Sequence, residues 1–175
     1  MDDPAPPAVG DDAPPFTAPV ADADGIDPHP LEDYLTDTPT VLAFYPAAFS
    51  NTCTTEFCTF RDRLGPLANG DATVLGVSTD LPWALAAFRE EESLPFALVA
   101  DNDATICTDY GVRTHFERLG IDDVARRSVF VLDAEGTITY RWLADDSGQE
   151  PDYEAVDAAV ADAAAATSVG AEPTE

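Results

Sequence analysis

Cysteines at positions 53, 58 and 107 are the residues of this chain best suited to redox chemistry. Cys53 and Cys58 are separated by four residues, unlike the Cys-x-x-Cys of disulfide reductases and paired zinc knuckles, so the spacing gives little support to metal binding. The odd number of cysteines, with first residues that lack the charged-then-apolar pattern of a signal peptide, argues against a disulfide-stapled scaffold. The cysteines therefore direct attention to thiol chemistry.

The first cysteine lies at the start of a predicted helix over 53–67, directly after a strand and a proline-containing loop. Unpaired backbone N–H groups and the helix dipole stabilise an anion at that position, which suits a thiolate at Cys53. At about 100° per residue Cys53 follows the apolar stripe, whereas Cys58 lies roughly 140° away on the polar side. Their Cα atoms would be about 8 to 9 Å apart in an intact helix, so a disulfide requires the first turns to unwind. This geometry predicts a two-state redox cycle.

The remaining elements must position that helix. We predict strands over 16–20 (an edge strand), 40–45, 72–78 and 96–100, a hairpin of 128–132 with 137–143, and helices from about 81 to 92, over 101–110 and over 153–166. Pro82 suits a first helical turn, and Gly111 closes the short helix. Strands alternating with helices indicate an α/β fold whose first crossovers are parallel and right-handed.

Length and composition set the domain organisation. At 175 residues and 18.6 kDa the chain fits one domain, and it has no internal repeat. The first thirty residues hold eight of the fifteen prolines, which disfavours helix there. We expect an acidic, proline-rich leader over 1–15, one α/β domain over 16–166 and a flexible acidic tail over 167–175.

The charge of the chain excludes several functions. Eight arginines and no lysine face 34 acidic residues, a formal charge of −26, so binding to nucleic acid or an anionic membrane through a basic surface is disfavoured. No apolar run approaches the roughly 18 residues of a membrane-spanning helix, and we expect a cytoplasmic protein. The absence of lysine and the excess of carboxylates predict a salt-adapted organism, where salt screens the repulsion.

Residues 44–62, with the sequence FYPAAFSNTCTTEFCTFRD, resemble the active-site signature of the peroxiredoxins. The family pattern Pro-x-x-x-Thr/Ser-x-x-Cys falls on Pro46, Ser50 and Cys53, and the resemblance, which continues at 83, 110–112 and 127–133, spans about residues 10 to 160. The spacing of Cys58 resembles the bacterioferritin-comigratory (Q-type) branch. The segment 47–50 resembles the one-cysteine alkyl hydroperoxide reductase E branch.

The resemblance implies a thioredoxin-like fold, a central mixed β-sheet flanked by helices, and reduction of hydrogen peroxide and organic hydroperoxides. Cys53 would attack the peroxide and become a sulfenic acid, with Arg127 pairing with the thiolate. Ser50, where most relatives have threonine, would orient the peroxide, and Pro46 would shield the thiolate. Cys58 would then form a disulfide that a thioredoxin- or glutaredoxin-like protein reduces. The resemblance implies no cofactor and no metal. The family often forms homodimers and this branch includes monomers, so both states stay open.

Other readings of the cysteines stay open. Cys107 competes with Cys58 as the resolving thiol, although a small buried residue is its commoner role. A one-cysteine cycle would need neither. A redox-sensing protein that controls a partner, or a holdase whose unwound helix exposes apolar surface, could use the same thiols.

Several other residues are expected to have supporting or purely structural roles. Glu56, one turn after Cys53, is expected to hold an arginine in place. Strand alternation sends Arg126 and Arg127 to opposite faces, which leaves Arg126 as a solvated charge. Phe49 and Trp83 are expected to pack in the core, with a dimer contact as the alternative. His29 and His115 are expected to lie on the surface and to bind no metal.

Overall fold

The computed structural model describes residues 3–67 and 72–170. The strands are β1 (Thr17–Asp22), β2 (Gly25–Pro30), β3 (Thr40–Phe44), β4 (Thr73–Ser78), β5 (Ala97–Ala100), β6 (Arg113–Phe116), β7 (Ile121–Ala125), β8 (Ser128–Leu132) and β9 (Ile138–Leu143). The helices are α1 (Asn51–Leu67), α2 (Pro82–Glu91), α3 (Thr105–Asp109) and α4 (Tyr153–Gly170), and short 3-10 turns cover Leu31–Tyr34 and Glu117–Leu119.

A seven-stranded mixed sheet forms the centre of the molecule, in the order β2-β1-β5-β4-β3-β8-β9. The strands β3, β4 and β5 run parallel, as the strand-helix-strand pattern predicts, and β1, β8 and β9 pair antiparallel to their neighbours. A separate two-stranded ribbon joins β6 to β7. The predicted α/β class, with a central mixed sheet flanked by helices, is confirmed.

The sheet separates two apolar cores, because successive side chains of a strand point to opposite faces. In β3, Val41 and Ala43 face the core under α1, α2 and α4. Leu42 and Phe44 face the core that holds α3 and part of the N-terminal hairpin β1–β2. All four are fully buried, so the strand reads as a continuous apolar run, as expected for a strand covered on both sides.

A glycine lets the cysteine-bearing helix lie close to the sheet. A Cβ atom added at Gly76 in β4 would lie 2.7 Å from Leu98 Cδ2 and 2.8 Å from Phe57 Cε1. Phe57 is one turn after Cys53 in α1, and it packs against Tyr45 with ring centroids 4.4 Å apart. The missing side chain at Gly76 therefore sets how near α1, and with it Cys53, approaches the end of β3.

Two features of the strands differ from the expectation. The predicted edge strand at 16–20 is β1, which lies inside the sheet between β5 and β2, so the edge assignment is wrong. That edge of the sheet is β2. Its prolines, Pro28 and Pro30, argued against a strand in the sequence, but proline is tolerated in a strand at the edge of a sheet. The ribbon β6–β7 was not predicted at all, since most of its residues are exposed or half-buried and carry no two-faced apolar run.

The N-terminal segment contacts the domain more than the predicted leader suggests, and α4 extends into the predicted tail. Asp3 pairs with both Nε and Nη2 of Arg113, and the Pro14 carbonyl accepts a 2.8 Å hydrogen bond from the Tyr110 hydroxyl. At the other end α4 continues to Gly170, four residues beyond the predicted end at 166. Residues 171–175 of the predicted tail, and 1–2 of the leader, lie outside the described residues. The division at 15 and 166 stays a prediction.

Candidate active site

The loop between β3 and α1 is held by a carboxylate at the end of β4. Asp80 Oδ2 accepts the backbone N–H of Ala48 at 2.8 Å and the hydroxyl of Ser78 at 2.8 Å. Phe49 takes the left-handed backbone conformation (φ 67°), which is costly for a bulky residue and turns the chain sharply. The carbonyl of Ser50 then accepts the first helical hydrogen bond, from Thr54 N–H at 2.8 Å, so α1 begins directly after Ser50.

Cys53 is the third residue of α1 and has no exposed surface. The N–H group of Thr54 makes the first helical hydrogen bond, and the N–H group of Cys53 precedes it. The Cys53 N–H group therefore belongs to the first turn, where N–H groups without a helical carbonyl partner can stabilise an anion. Arg127 Nη2 donates to Cys53 Sγ at 3.1 Å. The predicted placement of Cys53 in a first helical turn and beside Arg127 is thus what the structure has.

Arg127 lies between β7 and β8 and is 2% exposed. Its Nη1 donates to Glu56 Oε2 in a buried ion pair, and its Nη2 also donates to the Ser147 carbonyl at 3.2 Å. The expectation that Glu56 holds an arginine is confirmed. Burial raises the pKa of Glu56 to about 7, although the charge of Arg127 and the hydrogen bond from it act in the opposite direction.

A cavity of about 210 Å³ lies beside this site. Pro46 and Arg127 line it together with Arg126, residues 114–116 of β6 and the loop 144–147. Pro46 is itself buried, whereas Ser50 is exposed at the start of α1. Of the predicted site residues the structure therefore brings Cys53, Arg127 and Pro46 together and places Ser50 one helical turn before Cys53.

Cys58 points away from this buried site, in agreement with its predicted place on the polar side of α1. Its side chain is half-buried, and its Sγ donates to Glu92 Oε2 at 3.2 Å. Burial, together with the adjacent Glu92 carboxylate, raises the pKa of the Cys58 thiol. In the folded helix Cys58 is therefore held as a neutral thiol.

Cys107 lies on the other side of the sheet. It belongs to the core that contains α3, whereas Cys53 belongs to the core that contains α1. It is fully buried, its Sγ donates to the Ala104 carbonyl at 3.4 Å, and burial together with Asp101 raises its pKa far above the ordinary value. The expectation of a small buried residue is met, and the sheet separates Cys107 from Cys53.

Three expectations near the site are wrong. Phe49 and Trp83 are not in the core: their exposed fractions are 47% and 71%. The left-handed turn at Phe49 directs its ring outward against the edge of Phe88, with centroids 5.1 Å apart, and Trp83 lies on an outer face of α2. Arg126 does lie opposite Arg127, but it is half-buried rather than fully solvated, because its Nε donates to the Ala144 carbonyl at 2.6 Å.

The histidines contact carboxylates near the surface: His29 Nδ1 is 3.3 Å from Asp33, and His115 Nε2 is 3.3 Å from Glu117. Over residues 3–67 and 72–170, no group of three or more His, Cys, Asp or Glu is arranged to hold a metal ion. In the same part of the chain no helix has both the length and the apolar character that a membrane crossing requires.

Sequence reasoning missed two residues that support the site. Asp80 anchors the loop before α1, and Glu92 binds Cys58. A carboxylate two residues after the buried Ser78 was a usable signal for Asp80, because polar groups at strand ends often hold adjoining loops. Glu92 had no such signal, since its contact joins the residue after α2 to the middle of α1.

Comparison with known proteins agrees with this geometry. The model of the AhpC/TSA family matches residues 9–141. Peroxiredoxin Bcp of Escherichia coli K12 is 35% identical over 133 residues, covering 75% of this chain and 83% of that protein. The crystal structure of peroxidoxin BcpB from Mycobacterium tuberculosis superposes with a TM-score of 0.71 at 30% identity, over 92% of this chain and 96% of that one. The structure of Enterococcus faecalis AhpC, at 21% identity and a TM-score of 0.78, has the same fold.

The chain therefore belongs to the AhpC/TSA family and has the thioredoxin-like fold of its relatives. It is a peroxiredoxin, a thiol-dependent peroxidase and hence an antioxidant oxidoreductase. Peroxiredoxins act on hydroperoxides with thioredoxin-like reductants, and they can be dimeric.

Proposed function

We propose that Cys53 is the peroxidatic nucleophile of this enzyme. The observation that carries the proposal is the 3.1 Å hydrogen bond from Arg127 Nη2 to Sγ of Cys53, two side chains that are both buried. A guanidinium stays charged at any physiological pH, so it stabilises a thiolate there and also the negative charge that develops on the peroxide oxygens. Without such a cation, burial would favour the neutral thiol.

The first chemical step follows from this arrangement. The Cys53 thiolate attacks one oxygen of the hydroperoxide, an S–O bond forms, and the O–O bond breaks. The leaving oxygen takes a proton and departs as water from hydrogen peroxide, or as an alcohol from an organic hydroperoxide. Cys53 is left as a sulfenic acid.

Pro46 and Ser50 complete the site in this proposal. Pro46 is buried, lines the cavity and has no N–H group to compete for the thiolate. The Ser50 hydroxyl can accept one hydrogen bond and donate another, which suits it to orient the two oxygens of the peroxide. Serine lacks the methyl group that would restrict its rotamer, so Ser50→Thr is expected to preserve the activity and Ser50→Ala to reduce it.

Cys58 is proposed as the resolving thiol. Its place in the same helix as Cys53 separates the two Cα atoms by about 8 to 9 Å, so α1 must unwind locally before the disulfide forms. The Cys58 sulfur then attacks the Cys53 sulfur, the S–O bond breaks, and the hydroxyl leaves as water. Cys107 supports a resolving role less well, because the whole sheet lies between it and Cys53.

The finer identity of the enzyme belongs to the same proposal. The spacing of Cys58 supports a bacterioferritin-comigratory type of peroxiredoxin, and segment 47–50 gives it an alkyl hydroperoxide reductase E feature. We expect a thioredoxin- or glutaredoxin-like reductant and a cytoplasmic location. The net charge of −26 without lysine supports a salt-adapted host. The exposed rings of Phe49 and Trp83 support a homodimer contact through these residues.

Intact mass spectrometry in molar KCl after one equivalent of hydrogen peroxide tests the assignment. Wild type should lose two hydrogens, Cys58→Ser should instead gain one oxygen, and Cys53→Ser should not react. Cys107→Ser is the matched control and should behave as wild type. The addition of a thioredoxin-like dithiol protein should restore the reduced mass.

Other outcomes reassign the roles. If Cys107→Ser stops at one added oxygen while Cys58→Ser still closes a disulfide, then Cys107 is the resolver. If wild type itself stops at one added oxygen, a one-cysteine cycle applies. If Cys53 reacts no faster than free cysteine, the peroxidatic assignment is overturned, and a sensor or holdase role for these thiols takes its place.

A further inference from the structure

We infer that Glu92 is a positioning residue for the resolving step: it holds Cys58 against the end of α2 and so delays disulfide formation until α1 unwinds. The inference rests on the proposed role of Cys58 as the resolving thiol. It adds a residue that binds neither peroxide nor Cys53 but controls when the second half of the cycle begins.

Two residues of α1 donate hydrogen bonds to the same residue, Glu92, directly after α2. Cys58 Sγ donates to Glu92 Oε2 at 3.2 Å, and Arg61 Nη1 donates to the Glu92 backbone carbonyl at 2.6 Å. Glu92 is the C-cap residue directly after α2, and its side chain is half-buried. Since Cys58 and Arg61 are neighbours at the i, i+3 spacing, these two bonds fasten one turn of α1 to α2.

The charges around Cys58 suppress its reactivity while this contact lasts. Glu92 faces the thiol from α2, and Arg61 and Asp62 face it from α1 itself. Burial and the two carboxylates raise the pKa of the Cys58 thiol, whereas Arg61 lowers it. The Arg61 guanidinium is already occupied by the Asp62 carboxylate and the Glu92 carbonyl. Because the thiolate is the form that attacks, Glu92 holds Cys58 in its unreactive form.

Unwinding of α1 breaks this contact by geometry. Glu92 is fixed to α2, which packs against β1 and β5 of the sheet, so its carboxylate stays in place when the turn that carries Cys58 moves toward Cys53. Away from that carboxylate the thiol loses its proton to solvent more readily. The thiolate then attacks the Cys53 sulfur, an S–S bond forms, and the departing hydroxide takes a proton to become water.

Rapid acid quench after one equivalent of hydrogen peroxide, followed by mass spectrometry, tests the inference. Glu92→Gln keeps the shape but removes the charge, and a charge-assisted hydrogen bond is about twice as strong as a neutral one. We expect the Cys53–Cys58 disulfide to close about fivefold faster in Glu92→Gln than in wild type, with unchanged formation of the sulfenic acid. Glu91→Gln is the matched control, because Glu91 is exposed and adjacent, and it should close at the wild-type rate.

A second readout separates the charge from a loosened helix. In a Cys53→Ser background, the pH midpoint for alkylation of Cys58 by iodoacetamide should fall with Glu92→Gln and stay in place with Glu91→Gln. Glu92→Asp keeps the charge but withdraws it by one methylene, so it should give an intermediate midpoint. Because a loosened α1 would lower this midpoint as well, the far-UV circular dichroism of Glu92→Gln should match that of wild type. A loss of helical signal in Glu92→Gln would assign the shift to a loosened helix and overturn the inference.

Closure in Glu92→Gln that is equal to or slower than in wild type overturns the inference, as does an unmoved alkylation midpoint. Wild type that forms no Cys53–Cys58 disulfide overturns the resolver assignment and the delay together. That failure is distinguished from the first because it appears in wild type, before any change at Glu92.

Discussion

Two fully buried cysteines lie on opposite faces of the central sheet, and each has a buried carboxylate nearby in the chain. Cys53 is followed by Glu56, and Cys107 is preceded by Asp101. Among residues 3–67 and 72–170, a buried cation touches the sulfur on the first face only: Arg127 donates to Cys53 Sγ. On the second face burial and Asp101 raise the thiol pKa far above its ordinary value. Burial therefore makes a cysteine inert unless a buried cation accompanies it.

The two faces also differ in how well their polar atoms are satisfied. Both oxygens of Asp101 accept backbone N–H groups, from Ile106 at 2.9 Å and from Cys107 at 2.8 Å. Around Cys53, the buried atoms Glu56 Oε1 and Arg127 Nε have no hydrogen-bond partner among the described residues. A buried polar atom without a hydrogen-bond partner lowers the stability of the folded protein. The face around Cys53 therefore has a cost in stability that the face around Cys107 lacks.

The largest effect is expected from removal of the Arg127 cation. Arg127→Gln is expected to lower the second-order rate constant for hydrogen peroxide about 10²- to 10³-fold, the effect of removing one donor that stabilises developing negative charge. Stopped-flow oxidation at fixed pH measures it. Arg63→Gln is the control, because Arg63 pairs with Asp157 on the outer surface. A loss smaller than threefold in Arg127→Gln would contradict the role of the cation.

The next prediction concerns the carboxylate that holds this cation. Because the pKa of Glu56 is about 7, above its ordinary value near 4.5, the native state keeps a proton that the unfolded chain has lost between these pH values. Its contribution to stability is therefore present below about pH 4.5 and is lost as the pH rises through 7. This difference corresponds to about 3 kcal/mol.

Replacement of Glu56 by glutamine isolates that contribution. The free energy of unfolding of Glu56→Gln, minus that of wild type, should increase by about 3 kcal/mol from pH 4.5 to 8 in denaturant titrations. Other groups titrate in both proteins and cancel in the difference. The same difference for the exposed Glu91→Gln should stay flat. A flat difference for Glu56→Gln as well would mean that Glu56 is fully ionised when buried.

A smaller effect is expected from the carboxylate on the Cys107 face. Asp101→Asn keeps one acceptor for the two N–H groups at the start of α3 and places an amide donor against the other, which costs about 2 kcal/mol of stability. The rate constant with peroxide should not change, since the sheet separates Asp101 from Cys53. Denaturant unfolding and stopped-flow kinetics check the two parts. Asp103→Asn, at an exposed carboxylate that accepts one N–H group, should cost less. A loss of peroxidase activity in Asp101→Asn would show that the two faces are coupled.

Local patterns predicted the elements that are covered on both faces or punctuated by special residues. The buried strand β3, the start of α1 and the first turn of α2 at Pro82 all came from such signals. Gly111 closes α3 in the left-handed conformation with φ 66°. The edge strand β2 was missed because it contains two prolines, and β6 and β7 were missed because most of their residues are exposed or half-buried. The other edge strand, β9, was predicted as part of the hairpin.

The site residues that could be predicted are those in the peroxiredoxin motif and the one arginine at a position that matches the family. Cys53, Pro46 and Ser50 belong to a single segment, and Arg127 followed from its place in the resemblance. The partners in contacts more than thirty positions apart, Asp80 with Ala48 and Glu92 with Cys58, could not be predicted from a local pattern, although the place of Asp80 after a strand end was a usable signal for a loop contact. The exposure of Phe49 was missed because an aromatic residue type indicates a core, whereas the left-handed turn that directs it outward depends on tertiary structure.

The mildest test of the comparison removes the inert cysteine. Cys107→Ala deletes one buried sulfur from the core around α3 and should cost about 1 kcal/mol of stability through the small cavity that remains. Peroxide turnover with a dithiol reductant should stay within twofold of wild type, because the sheet keeps Cys107 from Cys53 and its raised pKa keeps it protonated. Turnover assays on Cys107→Ala and Cys58→Ala side by side measure this contrast. If Cys107→Ala stops turnover while Cys58→Ala does not, the sheet opens during the cycle, and the division into a reactive and an inert face fails.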